Sequence, residues 1–283
     1  MPSPDLAPPP TIAGDATGFL GEREFALARQ LIAQYAGIQL SPHKRYMVHN
    51  RLSRRLRARG MSSFAEYLDL VQADAAGERE DFVNALTTNL TAFFREPHHF
   101  ELLRTRAQQH RARERSALRV WCSASSTGEE AWSIAMTLRD AACPGEVLAS
   151  DIDTEALETG NAGVYPQERA ASLSPAQMRG HWLRGVGAND GWVSARPEMR
   201  AMVKFMQLNL QAPAWPAMEP FDVIFCRNVV IYFDREAQKR LLGRFAQMLR
   251  PGGLLIVGHA ESFPAGHPSF RACGRTAYEF VRA

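Results

Sequence analysis

Between Leu118 and Leu138 the chain changes its apolar period once, and the change limits what it can fold into. The run Leu118-Arg-Val-Trp-Cys122 is short, apolar and bounded like a buried strand. Small and hydroxylated residues follow as far as Gly128, and after Glu129-Glu130 the apolar positions Trp132, Ala135, Met136 and Leu138 recur at helical spacing. Strand, tight turn and helix in this order form the first βα unit of a nucleotide-type fold. Such a turn presents backbone N–H groups and a helix N-terminus, and Gly128 is expected to let a ligand approach because it has no Cβ. The glycine fingerprint of the dinucleotide folds is absent, since Ser and Ala stand where two of its glycines would be. On this segment alone, an ordinary βα loop and a ligand loop are both open.

The rest of the C-terminal half repeats the unit. Residues 146–153 read as a second parallel strand ending in carboxylates. Asp151 follows Gly128 by 23 residues, near the roughly 20-residue spacing that brings an acid to ribose hydroxyls. Asp153 is the better cap for the helix expected over 155–163, which leaves Asp151 free for a ligand. Strands follow at 203–209 and from Phe221 to the Arg227-Asn228 pair. A helix is expected over 235–249, stopped by Arg250-Pro-Gly-Gly253, then a strand over 254–258 and a terminal hairpin over 270–281. Strands alternating with helices predict a doubly wound α/β sheet with its ligand at the C-terminal strand ends, where Gly128, Asp151, Asn209, Asn228 and Tyr232 would gather. Between about 164 and 205 the pattern is interrupted by β-like segments and the turn Gly185-Val-Gly-Ala-Asn-Asp-Gly191, which reads as an inserted small β-subdomain.

Ahead of this lies a different composition. Residues 1–18 carry prolines at 2, 4, 8, 9 and 10 and are expected to be a flexible tail. Residues 19–90 show helical periodicity throughout and predict a small all-helical N-terminal domain. Residues 91–117 read as a basic, helix-permissive linker contributing to the ligand cleft, with Asn89, Thr91 and Arg95 as polar groups around Phe93-Phe94. One helix, introduced by Ser41-Pro42, holds seven Lys/Arg and no Asp or Glu between Ser41 and Gly60. With no acid to form i,i+4 pairs on that helix, the face around Lys44, Arg51, Arg54 and Arg55 points to an acidic partner.

The chain has 283 residues and a net charge of only +3, so nothing global marks a nucleic-acid binder. Its four cysteines have no metal or disulfide spacing. No metal is expected, and the absence of a long apolar run or leader pattern suggests a cytoplasmic chain with no membrane insertion.

Taken in order, Asn89-Leu-Thr-Ala-Phe-Phe-Arg95, Ser125-Ser-Thr-Gly-Glu-Glu130, Ala149-Ser-Asp-Ile-Asp-Thr154, Phe225-Cys-Arg-Asn-Val-Val-Ile-Tyr-Phe-Asp234 and Gly258-His-Ala-Glu-Ser-Phe263 resemble the CheR-type chemotaxis methyltransferases. The resemblance implies a Rossmann-like class I methyltransferase domain over 118–283. It also implies S-adenosylmethionine as cofactor, S-adenosylhomocysteine as product, and glutamates of chemotaxis receptors as substrate, with the enzyme monomeric and drawn to receptor arrays. It places Asn89, Thr91, Arg95, Glu129, Asp151, Asn209, Leu210, Arg227 and Asn228 around the cofactor and sets Arg95 and Tyr232 nearest the transferred methyl. The basic helix would align a glutamate-rich receptor bundle, and the Gly185–Gly191 loop resembles that of members docking on a receptor C-terminal pentapeptide. Ala131-Trp132, Ala260 and Ser262 depart from the commoner family residues, all outside the assigned cofactor contacts.

The chemistry suits such a site. A glutamate carboxylate, which ordinarily titrates at about 4.3, is ionised near neutrality and needs no strong base to attack a sulfonium methyl; orientation and desolvation do the work. Two other functions stay open at this level: a nucleic-acid or small-molecule N-methyltransferase, and a non-catalytic module that holds the cofactor. Against the first, the strand end Cys226-Arg-Asn-Val-Val lacks the Asp/Asn-Pro-Pro-aromatic signature of amino methylation.

Overall fold

A computed structural model describes residues 18–114, 116–261 and 267–281. The expected tail lies outside the described residues up to Thr17, as do Ser262 and Phe263 of the last motif. The chain forms two compact units, one of residues through Leu31 with Leu40–Leu86, the other of Ile32–Gln39 with the chain from Thr87.

Helices α1 (Glu22–Ala36), α2 (Arg45–Ala58), α3 (Phe64–Gln72) and α4 (Glu78–Leu86) supply the helical part. Gly37 ends α1 with φ +72°, a left-handed conformation that costs glycine nothing. Ser41 and Pro42 open a 3-10 turn that runs into α2. The stripe Val48, Leu52 and Leu56 is fully buried, as are Tyr67 and Phe82 of the neighbouring helices. The basic face is not free of acids, because they come from α4. Arg55 binds both oxygens of the buried Glu78 at 3.0 and 3.2 Å and also pairs with Asp81. Arg59 pairs with Glu78 too, and Tyr67 donates its hydroxyl to it at 2.8 Å. The expectation that Arg55 faces an external partner is therefore corrected: a count of acids along one helix misses those brought in by the next.

In the second unit, the segment read as a linker is largely a sixteen-residue helix, α5 (His98–Arg113). Its charges hide an inner side of Phe100, Leu103 and Ala107, all part of the main core. Then follow β1 (Leu118–Cys122), α6 (Glu129–Asp140), β2 (Gly145–Asp151) and α7 (Thr154–Ala162), with Asp153 capping α7 through Ala156 N–H at 3.0 Å. The insertion comprises β3 (Val164–Pro166), α8 (Pro175–His181), β4 (Trp182–Arg184) and β5 (Trp192–Ala195), with the strands joined in an antiparallel sheet of order β3-β5-β4. After the short α9 (Pro197–Arg200), β6 (Val203–Gln207) pairs with β2 in the large sheet. The antiparallel sheet thus ends at Ala195, short of the expected 205.

The large sheet continues with β7 (Phe221–Cys226), α10 (Arg235–Met248), β8 (Leu249–Val257), β9 (Phe270–Ala272) and β10 (Ala277–Phe280). Its order is β6-β2-β1-β7-β8-β10-β9, parallel from β6 to β8 and antiparallel in the last hairpin. Successive residues of β1 serve opposite faces: Val120 and Cys122 join the core under α5 and α6, and Trp121 joins the one under α10. That two-sided burial explains the unbroken apolar strands. The Pro-Gly-Gly expected to precede β8 lies inside it, where the pairing with β7 shifts register between Phe221 and Val223. The chain crosses from one half of the sheet to the other between β1 and β7, and this crevice is the ligand position in such folds.

Candidate cofactor site

Three clusters stand at the C-terminal ends of β1, β2 and β7. In the first, Asp151 Oδ2 accepts the Ser126 N–H at 2.7 Å and Asp151 Oδ1 the Asp153 N–H at 3.1 Å. Asn89 joins from the other side, donating to Asp153 Oδ2 at 2.7 Å and accepting the Ser126 hydroxyl at 3.2 Å. Burial raises the Asp151 pKa, and the backbone N–H bonds pull against it. Ser126 holds φ +48° here, so the loop is strained where it meets Asp151 and Asn89.

The second cluster centres on Arg227, whose side chain has no exposed surface. Its Nη1 bonds Glu130 at 2.6 Å, and its Nη2 donates to the Arg95 carbonyl at 2.7 Å and lies 3.3 Å from Glu96. Burial raises the Glu130 pKa despite Arg227, and Cys122 adds a thiol contact at 3.3 Å. Burial works against the charge on Glu96 as well, but there His259 and Arg227 outweigh it and lower the pKa. His99 lies nearby, and burial with Arg227 pushes its pKa down to about 3. The segment so clamped carries Phe94 at φ +54° and Glu96 at φ +57°, two left-handed residues that are costly outside glycine. Arg95 itself is half-buried, and its Nη1 donates to the Leu90 carbonyl at 2.9 Å.

The third cluster was missed in the sequence as a site element. Glu261 accepts N–H groups from Asn228, Val229, Val230 and Gly258 at 2.7–2.9 Å. One carboxylate thus shapes the loop between β7 and the 3-10 turn Val230–Tyr232, with Asn228 at φ +60°. The signal was present in Gly258-His-Ala-Glu, where an acid follows a strand end, but its target lies about thirty residues earlier.

The remaining expected residues are more scattered. Asn209 donates to the Tyr35 carbonyl at 2.7 Å and accepts the Gln211 N–H at 2.8 Å. Leu210 packs its side chain into the core, which leaves only its backbone for a ligand. Thr91 is half-buried. Tyr232 packs partly against the core under α10, and its carbonyl accepts the Gln39 N–H at 2.8 Å. Gly128 has φ +95°, as a left-handed glycine requires, but a Cβ there would meet Gly160 Cα at 2.7 Å and the Tyr165 hydroxyl at 2.8 Å. Its missing side chain lets α7 pack on the loop; the expected ligand approach is not what fills that space.

Glu129 is 1% exposed in the first turn of α6. Thr127 donates to its Oε2 at 2.7 Å, and Arg169 Nη2 stands 2.6 Å from its Oε1 without aligning an N–H on it. Ser125 Oγ and Arg227 Nε are likewise buried with no hydrogen-bond partner among the described residues. Unsatisfied buried groups of both polarities fit a ligand that carries an ammonium, a carboxylate and a ribose. Among the described residues, Glu96, His98 and His99 bring possible metal ligands within 4.8 Å of one another. Glu96 is already bound to Arg227 and His259, and both rings face Thr276 Oγ1, so the trio is taken up by the fold's own contacts.

Comparison with known proteins decides the family. The description "CheR methyltransferase, SAM binding domain" matches residues 89–278, and "CheR methyltransferase, all-alpha domain" matches residues 23–87. The chain belongs to the CheR methyltransferase family. The chemotaxis protein methyltransferase of Klebsiella aerogenes is 50% identical over 93% of this chain and 91% of its own length. That of Escherichia coli is 48% identical over 92% and 91%, and chemotaxis protein methyltransferase 2 of Pseudomonas aeruginosa is 43% identical over 97% and 99%. The CheR cofactor, S-adenosylmethionine, fits the crevice between β1 and β7 and the unsatisfied groups around it. Among the described residues no helix is long and apolar enough to cross a membrane.

Proposed function

We propose that this CheR methyltransferase esterifies glutamate side chains on the cytoplasmic helical bundle of chemotaxis receptors. The reading rests on one observation above the others: the terminal nitrogens of Arg227 are taken up by Glu130, Glu96 and the Arg95 carbonyl, which leaves only its Nε, so the half-buried Arg95 is the arginine placed to meet an anionic substrate. A guanidinium binds a carboxylate through paired N–H groups and so recognises an acid better than an amine.

Bound S-adenosylmethionine supplies a methyl group activated by its sulfonium. The protein's part is orientation. Asp151 accepts from the ribose, Glu129 takes the amino end, and Asn89, Thr91, Asn209, the Leu210 backbone, Arg227 and Asn228 complete the lining. Arg95 aligns the substrate carboxylate, and Tyr232 lies next to the reacting centre. The thiols at the ends of β1 and β7 take no part, because burial raises the pKa of Cys122 and Cys226 well above the usual value and keeps them neutral. An ionised carboxylate needs only to be desolvated and aimed.

Receptor contact is assigned to the outward face of α2 and the turn before it, where Lys44, Tyr46, Asn50 and Arg54 are exposed. A second contact is assigned to the antiparallel sheet. Its inner residues Tyr165, Trp182 and Val193 are buried, while Leu183, Trp192 and Val186 on the other side are 42%, 46% and 81% exposed. Beside the Gly185–Gly191 loop, that face suits a receptor C-terminal pentapeptide added along a strand edge.

The test is incubation with methyl-labelled cofactor and receptor-containing membranes, followed by mild alkali. Label released as methanol identifies an ester. Alkali-stable label would overturn the assignment in favour of N-methylation, and absence of incorporation despite cofactor binding would overturn catalysis.

A further inference from the structure

The geometry points to Arg169 as the residue that recognises the carboxylate of the cofactor's amino-acid end, paired with Glu129 for its ammonium; this rests on the assignment of Glu129 above. Arg169 lies in the 3-10 turn Gln167–Ala170, directly after β3 of the inserted sheet. No sequence motif singled it out.

Glu129 lies in the first turn of α6 and is almost wholly out of water, where an ionised carboxylate needs both a countercharge and hydrogen bonds. The fold supplies the countercharge, Arg169 Nη2 at 2.6 Å, but only part of the hydrogen bonding. Thr127 satisfies Oε2, while Oε1 has no aligned donor. The same Nη2 donates to Thr127 Oγ1 at 3.1 Å, so the guanidinium is steered toward the hydroxyl and leaves Oε1 lone pairs for a second cation.

Arg169 is fixed from below and open from above. Its guanidinium lies 5.8 Å from the centroid of the Tyr165 ring, whose hydroxyl donates to the Thr127 carbonyl at 2.6 Å, so ring and loop are one unit. Its side chain is 38% exposed, and among the described residues its other N–H groups donate to nothing in the protein. Glu129 and Arg169 therefore present adjacent opposite charges, each with unused hydrogen-bonding capacity, at the loop after β1. An α-amino acid is the complementary object: its ammonium meets the carboxylate and its carboxylate meets the guanidinium. Arg95 is then left to the substrate, and the inserted sheet, beyond any docking role, completes the cofactor site.

The experiment compares three ligands by calorimetry on the full chain: S-adenosylhomocysteine, its decarboxylated analogue that keeps the amine, and 5′-methylthioadenosine. Arg169→Ala should weaken S-adenosylhomocysteine by about tenfold or more, the scale of one charge-assisted hydrogen bond. It should leave the decarboxylated analogue within about twofold of its wild-type affinity, and Arg169→Lys should restore part of the loss. Equal weakening of both ligands would show a merely structural role, and unchanged or tighter binding of S-adenosylhomocysteine would show no carboxylate contact; either result overturns the proposal. Because the readout is a ratio between ligands on one protein, a folding defect cancels. Failure of the underlying assignment reads differently: Glu129→Gln would then bind S-adenosylhomocysteine and 5′-methylthioadenosine with wild-type preference.

Discussion

Arg227 bonds Glu130 at 2.6 Å with its own side chain wholly out of solvent and that of Glu130 only 11% exposed. The pair joins the end of β7 to the first turn of α6, and the same guanidinium holds the Arg95 carbonyl. Removing one member leaves the other charge buried alone, so Arg227→Met should cost about 3–5 kcal/mol. Replacing both, as Arg227→Met with Glu130→Gln, should recover part of that in denaturant unfolding. Strict additivity of the two single losses would show that the pair does not act as a unit.

His99 predicts a pH dependence of opposite origin. Folding lowers its pKa to about 3, while the unfolded chain protonates near the ordinary histidine value of 6.5. Between those values the unfolded state binds the extra proton, so stability must fall as pH decreases from about 6.5 toward 3, by up to about 1.4 kcal/mol per unit. His99→Gln should flatten that slope. A ring that titrates near 6.5 by NMR in the folded protein would refute it.

Glu78 acts in the helical unit. Burial resists its ionisation, but Arg55, Tyr67 and Arg59 outweigh that and lower its pKa. Its contribution is therefore complete above the ordinary carboxylate value and is lost as pH falls through the lowered one. Glu78→Gln should speed amide exchange in α3 and α4 near neutrality and remove the acid-dependent part of that exchange. Exchange rates matching wild type at pH 7 would exclude a stabilising role.

Two neighbouring arginines of α2 should part company. Arg54 is exposed, so Arg54→Glu is expected to lower receptor methylation several-fold by charge reversal while unfolding as wild type does. Arg55→Glu places an acid against Glu78 and Asp81 and should unfold the helical unit instead. Equal thermal stability of the two variants would contradict this division.

At Gly128, alanine would need φ +95° and would drive its Cβ to 2.7 Å from Gly160 Cα. Gly128→Ala should cost about 1–3 kcal/mol from strain, with the clash in addition, and should weaken cofactor binding as the loop shifts. Wild-type cofactor affinity in a fully stable variant would show that the loop tolerates displacement.

Much of this architecture is legible along the chain because it is local. The Leu118–Leu138 unit and the Asp153 cap follow from period and capping. What escaped is non-local. Arg55 looked outward because its acids sit on another helix. The helix over 98–113 looked like a linker because charged and polar residues crowd around Phe100, Leu103 and Ala107 and mask their spacing. Glu261 and Arg169 act on loops about 30 and 40 residues away, and no spacing rule reaches that far.

The four N–H bonds to Glu261 make the loop after β7 depend on chain that follows the fifth parallel strand of the sheet. A protein ending at Val257 would retain every side chain assigned to the cofactor or the reacting methyl. It would nevertheless lack the carboxylate that gathers Asn228, Val229 and Val230 into shape. The C-terminal segment is thus the last part of the site to be made, and a chain still emerging from synthesis holds its ligands before it holds their arrangement.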